Sequence, residues 1–182
     1  MNRIKIELKW AIIFSLVSIL WMVLEKMFGL HSKYIDYHMY ITNLFAIPAI
    51  YIMVLALIEK KSKFYKNDFK YVQGLISGIL LSTFISFLSP ITQWITFCYI
   101  TPEYFPNIIK RSVELGYYAT TELAKENFNI QSYIIQGIIG SLVMGVATSA
   151  ISMIFIRTKS SKMIFFKRKT NSNKYQKTNQ SL

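Results

Sequence analysis

Charge disappears from this chain in four long stretches. No Asp, Glu, Lys or Arg occurs in residues 10–24, 37–58, 71–102 or 127–156, which together make 99 of the 182 residues. Within them no face at helical spacing is reserved for charge. A helix on the surface of a soluble protein must turn one face to water, so a helix apolar all round belongs in a core or in lipid. The bilayer core is about 30 Å thick and a helix rises about 1.5 Å per residue, so one span takes about 20 residues. The pattern predicts an all-α polytopic membrane protein with four transmembrane helices, over about 9–29, 39–58, 71–99 and 130–156. The first run is short and reaches span length with Glu25 and Lys26 at the interface and Met27, Phe28 and Leu30 beyond. Arg3, Lys5 and Lys9 ahead of it also suit a signal peptide, but residues 24–29 offer no small-residue cleavage pattern. A retained first helix is the expectation.

The polar pattern changes between the third and fourth spans. Pro102 stands at a first-turn position, and Phe105, Ile108, Ile109, Ser112 and Leu115 follow at helical spacing up to Gly116. These positions predict an amphipathic helix, with a second short one capped by Thr120 and running to Phe128, inside a helical outer loop over 101–129. Residues 159–182 are polar and basic and read as a disordered cytoplasmic tail.

Composition narrows the class without altering the element map. The chain is 53% hydrophobic and 16% charged, against about 25% charged in soluble domains. An aromatic share of 15% excludes a disordered chain. Lys and Arg number 21 against 9 Asp and Glu. Sixteen of those positive charges lie up to and including Lys9, from Lys60 to Lys70, or from Arg157 onward; five lie in the other two loops. Positive charge is retained on the cytoplasmic side, which predicts an inner-membrane protein with both termini cytoplasmic. Tyrosines at 34, 37, 40, 99, 104, 117, 118 and 133 flank the spans as interfacial anchors. Tyr51 lies mid-span and is expected to find a hydrogen-bond partner inside the bundle.

Small residues recur every fourth position as Gly74, Gly78 and Ser82 on the third span, and as Ser141, Gly145 and Ser149 on the fourth. Residues four apart share a helix face, and small side chains let two backbones approach closely. Packing of the third span on the fourth is expected, with a homodimer contact as the alternative. Pro48 and Pro90 fall within spans; a kink is expected at Pro48, where the Leu44 carbonyl loses its partner. Pro90 either kinks its helix or marks where the span leaves the membrane.

The run Thr42-Asn43-Leu44-Phe45-Ala46-Ile47-Pro48-Ala49-Ile50 resembles the second-helix pattern of a bacterial integral membrane family known only as a domain of unknown function. Gln73 to Gly78, Tyr99 to Phe105, and Ser132 to Ala150 with Met144-Gly145-Val146-Ala147-Thr148-Ser149 are similar to it as well. The resemblance covers the chain to about Lys159 and implies a four-helix bacterial inner-membrane protein, with no catalytic residues to carry over.

Candidate chemistry is sparse. His31 and His38 stand seven apart on the outer side with no Cys or carboxylate array close in sequence, so neither a metal site nor a cofactor is expected. No phosphate loop, nucleophile elbow or zinc-protease motif occurs. Cys98 is the single cysteine and reads as an apolar packing residue. Ionisable residues inside spans usually mark function, and the spans as drawn hold none; Glu25 lies nearest. Glu25, Asn43 and Gln136 should share a depth near the outer surface and are the candidate binding residues, close to His38. Interhelical hydrogen bonding is the plainer role for them. The tail carries eight positive charges in 157–177 around the apolar patch 163–166, which suits anionic lipid headgroups; nucleic acid is not expected as a partner. The sequence therefore predicts a non-enzymatic accessory or scaffold component in contact with lipid and with a membrane-protein partner or a second copy. The alternative is a small transporter or channel subunit working as an oligomer.

Overall fold

A computed structural model describes residues 4–158. The described chain is helical, without strands. Its elements are α1 (Lys5–Met27), α2 (Ile35–Thr42), a 3-10 turn (Asn43–Phe45), α3 (Ala46–Lys63), α4 (Tyr71–Ile95), a π turn (Thr96–Ile100), α5 (Tyr104–Glu114), α6 (Thr121–Asn127) and α7 (Ile130–Ile156). Four segments are long and apolar enough to cross a membrane: α1, the unit from α2 through α3, α4 with its π turn, and the segment ending in α7. Ile156 and Thr158 lie at the bundle end that holds the start of α1, the terminal end; α5 and α6 cover the distal end.

Helix α4 is the centre of the bundle and packs on α7 and α1. Lipid gives helices no hydrophobic reason to associate, so close van der Waals approach must hold them together. The α4/α7 seam achieves this by setting a glycine of one helix against a side chain of the other. Gly74 faces Met153, Gly78 faces Ser149, Gly145 faces Ser82 and Gly137 faces Ser89. A Cβ at Gly78 would stand 1.9 Å from Ser149 Oγ, and one at Gly145 1.9 Å from Ser82 Oγ. The two serines satisfy themselves within their own helices: Ser82 Oγ donates to the Gly78 carbonyl and Ser149 Oγ to the Gly145 carbonyl, both at 2.8 Å. The expected pairing of the third span with the fourth is thus realised within one chain.

Proline is accommodated without a break. The 3-10 turn Asn43–Phe45 tightens the backbone where Pro48 has no N–H for the Leu44 carbonyl, which accepts instead from the backbone closing that turn, and Pro48 itself lies in the first turn of α3. Pro90 stays inside α4; the helix then widens into the π turn, closed by the Thr101 N–H on the Thr96 carbonyl at 2.8 Å.

Two sequence expectations need correction. Tyr51 is well exposed and points away from the bundle, so it anchors no interhelical hydrogen bond. The helices are also not free of buried charge. Glu7 of α1 and Lys60 of α3 are each only 2% exposed, with Lys60 Nζ 2.8 Å from Glu7 Oε1, and Ser77 of α4 donates to the same carboxylate at 2.5 Å. Three helices are tied there at one point. Beside them Glu59 accepts from Lys9, from Trp10 Nε1 at 2.7 Å and from Lys63 at 3.0 Å.

At the distal end, Gly116 (φ +74°) terminates the turn after α5, and the Thr120 hydroxyl caps α6 by accepting from the Leu123 N–H at 3.3 Å. Arg111 of α5 clamps the Asp36 carboxylate of α2 side-on, donating from Nε at 2.7 Å and Nη2 at 2.8 Å. This clamp and Tyr104 hold the cap down on α2.

Candidate functional site

Beneath the cap, three elements converge on one carboxylate. Glu25 comes from the last turn of α1. The chain then reverses at Gly29, whose φ of +75° suits glycine, and the Leu30 N–H bonds back to the Glu25 carbonyl at 3.0 Å. That reversal swings His31 under the cap, and His38 arrives one turn into α2. His31 Nε2 lies 3.2 Å and His38 Nε2 3.3 Å from the same oxygen, Glu25 Oε2. The three residues are 2%, 1% and 9% exposed in chain order.

A second ring of groups fixes these three. Trp21, one turn before Glu25, donates its indole N–H to Glu25 Oε1 at 2.5 Å and so leaves Oε2 to the imidazoles. Tyr104 of α5 places its hydroxyl 3.5 Å from His38 Nδ1 and 2.9 Å from the Tyr133 hydroxyl. Burial pushes the Tyr104 phenol well above its ordinary pKa, aided by its Tyr133 neighbour, so it stays neutral and keeps a proton to share. Asn107 donates to the His31 carbonyl at 2.9 Å. The rings of His31, His38 and Tyr104 meet edge-on or tilted, with centroids 4.9 to 5.3 Å apart. Two imidazole nitrogens, His31 Nδ1 and His38 Nε2, are buried without a hydrogen-bond partner among the described residues. His38 Nε2 is near Glu25 Oε2 but not oriented to bond with it.

Of the three residues expected at a polar site, the fold brings only Glu25 to this centre. Asn43 turns its amide back to the Met39 carbonyl of its own helix at 2.7 Å and is exposed. Gln136 is exposed on α7. The expected nearness of Glu25 to His38 is realised, and the expectation that the histidines form no cluster with a carboxylate is corrected: the Gly29 reversal brings His31 onto the same Glu25 oxygen. Glycine closing a short link between two apolar runs was the available signal, because a link that short cannot carry His31 far from the end of α1.

Next to this centre, in the distal half of the bundle, a cleft of about 510 Å³ runs between α1, α3, α4 and α7. Its walls mix apolar residues (Phe14, Met22, Ile85) with hydroxyls and amides (Ser15, Ser18, Ser89, Thr92, Gln93), and Gly137, Gly140 and Ser141 line the α7 side. Asn43, Ile50 and Met144 are both exposed and part of the lining, so they mark a mouth between α3 and α7.

The helices and the cleft between them define an integral membrane protein of the α-helical class. Residues 9–158 match the family described as Protein of unknown function (DUF4199), and the chain belongs to that family. No match was found among curated proteins or among solved structures.

Proposed function

We propose that this chain is a non-enzymatic accessory component of a bacterial inner membrane, crossing it four times with both termini cytoplasmic, and acting by lateral contact with another integral membrane protein. The cleft between α3 and α7 carries this reading. Close approach between helices in lipid requires small residues on at least one surface. Gly140 offers such a surface uncovered: a Cβ there would meet nothing within 4 Å. Gly137, Gly145 and Ser149 of α7 pack on α4, whereas Gly140 and Ser141 face the cleft without such a partner. A transmembrane helix presenting a large apolar side chain fits that seat. The excess of positive charge on the loops sharing the terminal end supports the orientation.

A photoreactive amino acid at Met144 or Ile50, crosslinked in native membranes, tests the proposal. The expected result is one adduct with a different integral membrane protein, absent from the lipid-facing positions Phe87 and Phe155 and lost in Gly140→Phe. Adducts with a second copy would overturn it in favour of an oligomeric transporter or channel subunit. That second reading draws on the hydroxyls and amides lining the cleft.

A further inference from the structure

We propose that Glu25, His31 and His38 bind one divalent transition-metal ion, with zinc as the best match. The donor set is two imidazole nitrogens and one carboxylate oxygen, which suits zinc and its first-row neighbours and is poor for the oxygen-seeking calcium or magnesium. Geometry supports the same choice. Zinc bonds of about 2.0–2.1 Å at the tetrahedral angle place neighbouring ligand atoms about 3.3–3.4 Å apart. The two imidazole-to-carboxylate distances, 3.2 and 3.3 Å, already fall on or near that edge length. All three ligand atoms lie within 4.8 Å of one another, so binding requires the remaining edge to close to the tetrahedral length.

Partner count points the same way. His38 Nε2 sits beside Glu25 Oε2 at ion-pair distance yet makes no hydrogen bond. A buried polar atom left unpaired costs about 1–3 kcal/mol, and an orphan nitrogen held 3.3 Å from a carboxylate oxygen without bonding to it is what a shared ligand would satisfy. The surrounding groups are those that hold metal ligands in place. Trp21 binds the non-coordinating oxygen of Glu25, and the Tyr104 hydroxyl, 3.5 Å from His38 Nδ1, is placed to accept an Nδ1–H, the tautomer that leaves Nε2 free for a metal. Three protein ligands leave a fourth position for water or an external donor, reached past His38, the most exposed of the three. Both histidines of the chain are in this cluster, so stoichiometric zinc has no other imidazole to use. The inference does not rest on the accessory role and would hold for a transporter subunit equally.

The full-length protein, purified without a polyhistidine tag, stripped with chelator and held in lipid nanodiscs, is titrated with zinc against a chromophoric chelator. One zinc per chain is expected, and cobalt in its place should give the strong visible absorption of a tetrahedral site. His38→Ala should weaken zinc by about 100-fold or more and abolish the cobalt spectrum, while Tyr104→Phe, which changes only the supporting shell, should cost about 10-fold. Glu25→Gln should lose binding as well. If that variant fails to fold, His38→Ala, altered at the rim, still decides. The site is overturned if the wild-type chain binds neither zinc nor cobalt, or if folded His38→Ala binds zinc as the wild type does.

Discussion

Two glycines five residues apart on α7 should respond to alanine with opposite sign. At Gly140 the added methyl enters open space, so Gly140→Ala gains only the helix preference of alanine over glycine, about 0.5–1 kcal/mol. At Gly145 the new Cβ would stand 1.9 Å from Ser82 Oγ and 2.7 Å from Ser82 Cβ. The hydroxyl can rotate aside by giving up its 2.8 Å bond to the Gly78 carbonyl, but Ser82 Cβ is fixed to the α4 backbone. Carbon atoms rest about 3.5–4.0 Å apart, so α4 and α7 must separate locally by roughly 1 Å. Overpacking of this kind costs about 1–3 kcal/mol, and after the helix gain a net loss of about 1–2 kcal/mol remains for Gly145→Ala. The two variants should therefore differ by about 2–3 kcal/mol, measured by reversible denaturant unfolding in mixed micelles. Adding Ser82→Gly removes both obstructing atoms, so the double variant should recover much of the loss and show a coupling energy in a mutant cycle. If Gly145→Ala proves as stable as Gly140→Ala, the seam is not packed as described.

Further outcomes can be checked independently. Glu7→Gln or Lys60→Met should each destabilise the protein by about 3–5 kcal/mol, because each strands a buried polar partner. The Glu7→Leu/Lys60→Met pair should restore most of it in thermal unfolding. In a Cys98→Ser background, Tyr117→Cys should react with a membrane-impermeant maleimide in intact cells; protection there with labelling only after lysis would invert the proposed orientation. A peptide of residues 157–177, which lie almost wholly outside the described residues, should bind anionic vesicles far more tightly than neutral ones, at about 1 kcal/mol per basic residue near the surface. Equal affinity for the two would remove the electrostatic contribution.

Hydropathy reads depth well and rotation poorly, and that difference accounts for what the sequence disclosed. The four apolar helices follow from stretches without charge, because lipid tolerates nothing else over such lengths. The α4/α7 partnership was legible because small residues at four-residue spacing mark a face by themselves. Gly116 and Thr120 were legible because helix ends require particular local chemistry. Asn43, Gln136 and Tyr51 sit on helices that are apolar all round, where nothing in the pattern says which azimuth faces inward. All three turn outward or along their own helix. Glu7 and Lys60 look like interfacial charges because each stands near a helix end. Only the convergence of α1, α3 and α4 buries them. Glu25 was placed near His38, but the joining of both histidines on it escaped notice for a different reason: the three are six and seven residues apart across a reversal, a spacing that belongs to no single helix.

The tie between Glu7, Lys60 and Ser77 bears on how the protein is made. Its three members lie on successive hydrophobic segments, so they leave the ribosome in the order carboxylate, ammonium, hydroxyl. A lone carboxylate resists entering hydrocarbon. Glu7 therefore keeps the start of α1 at the headgroups until Lys60 arrives about fifty residues later, and the pair then settles as one neutral unit against α4. On this argument assembly is coupled across the first three segments: a chain truncated before Lys60 leaves Glu7 without its counter-charge and should be turned over faster in cells than one ending after Ser77.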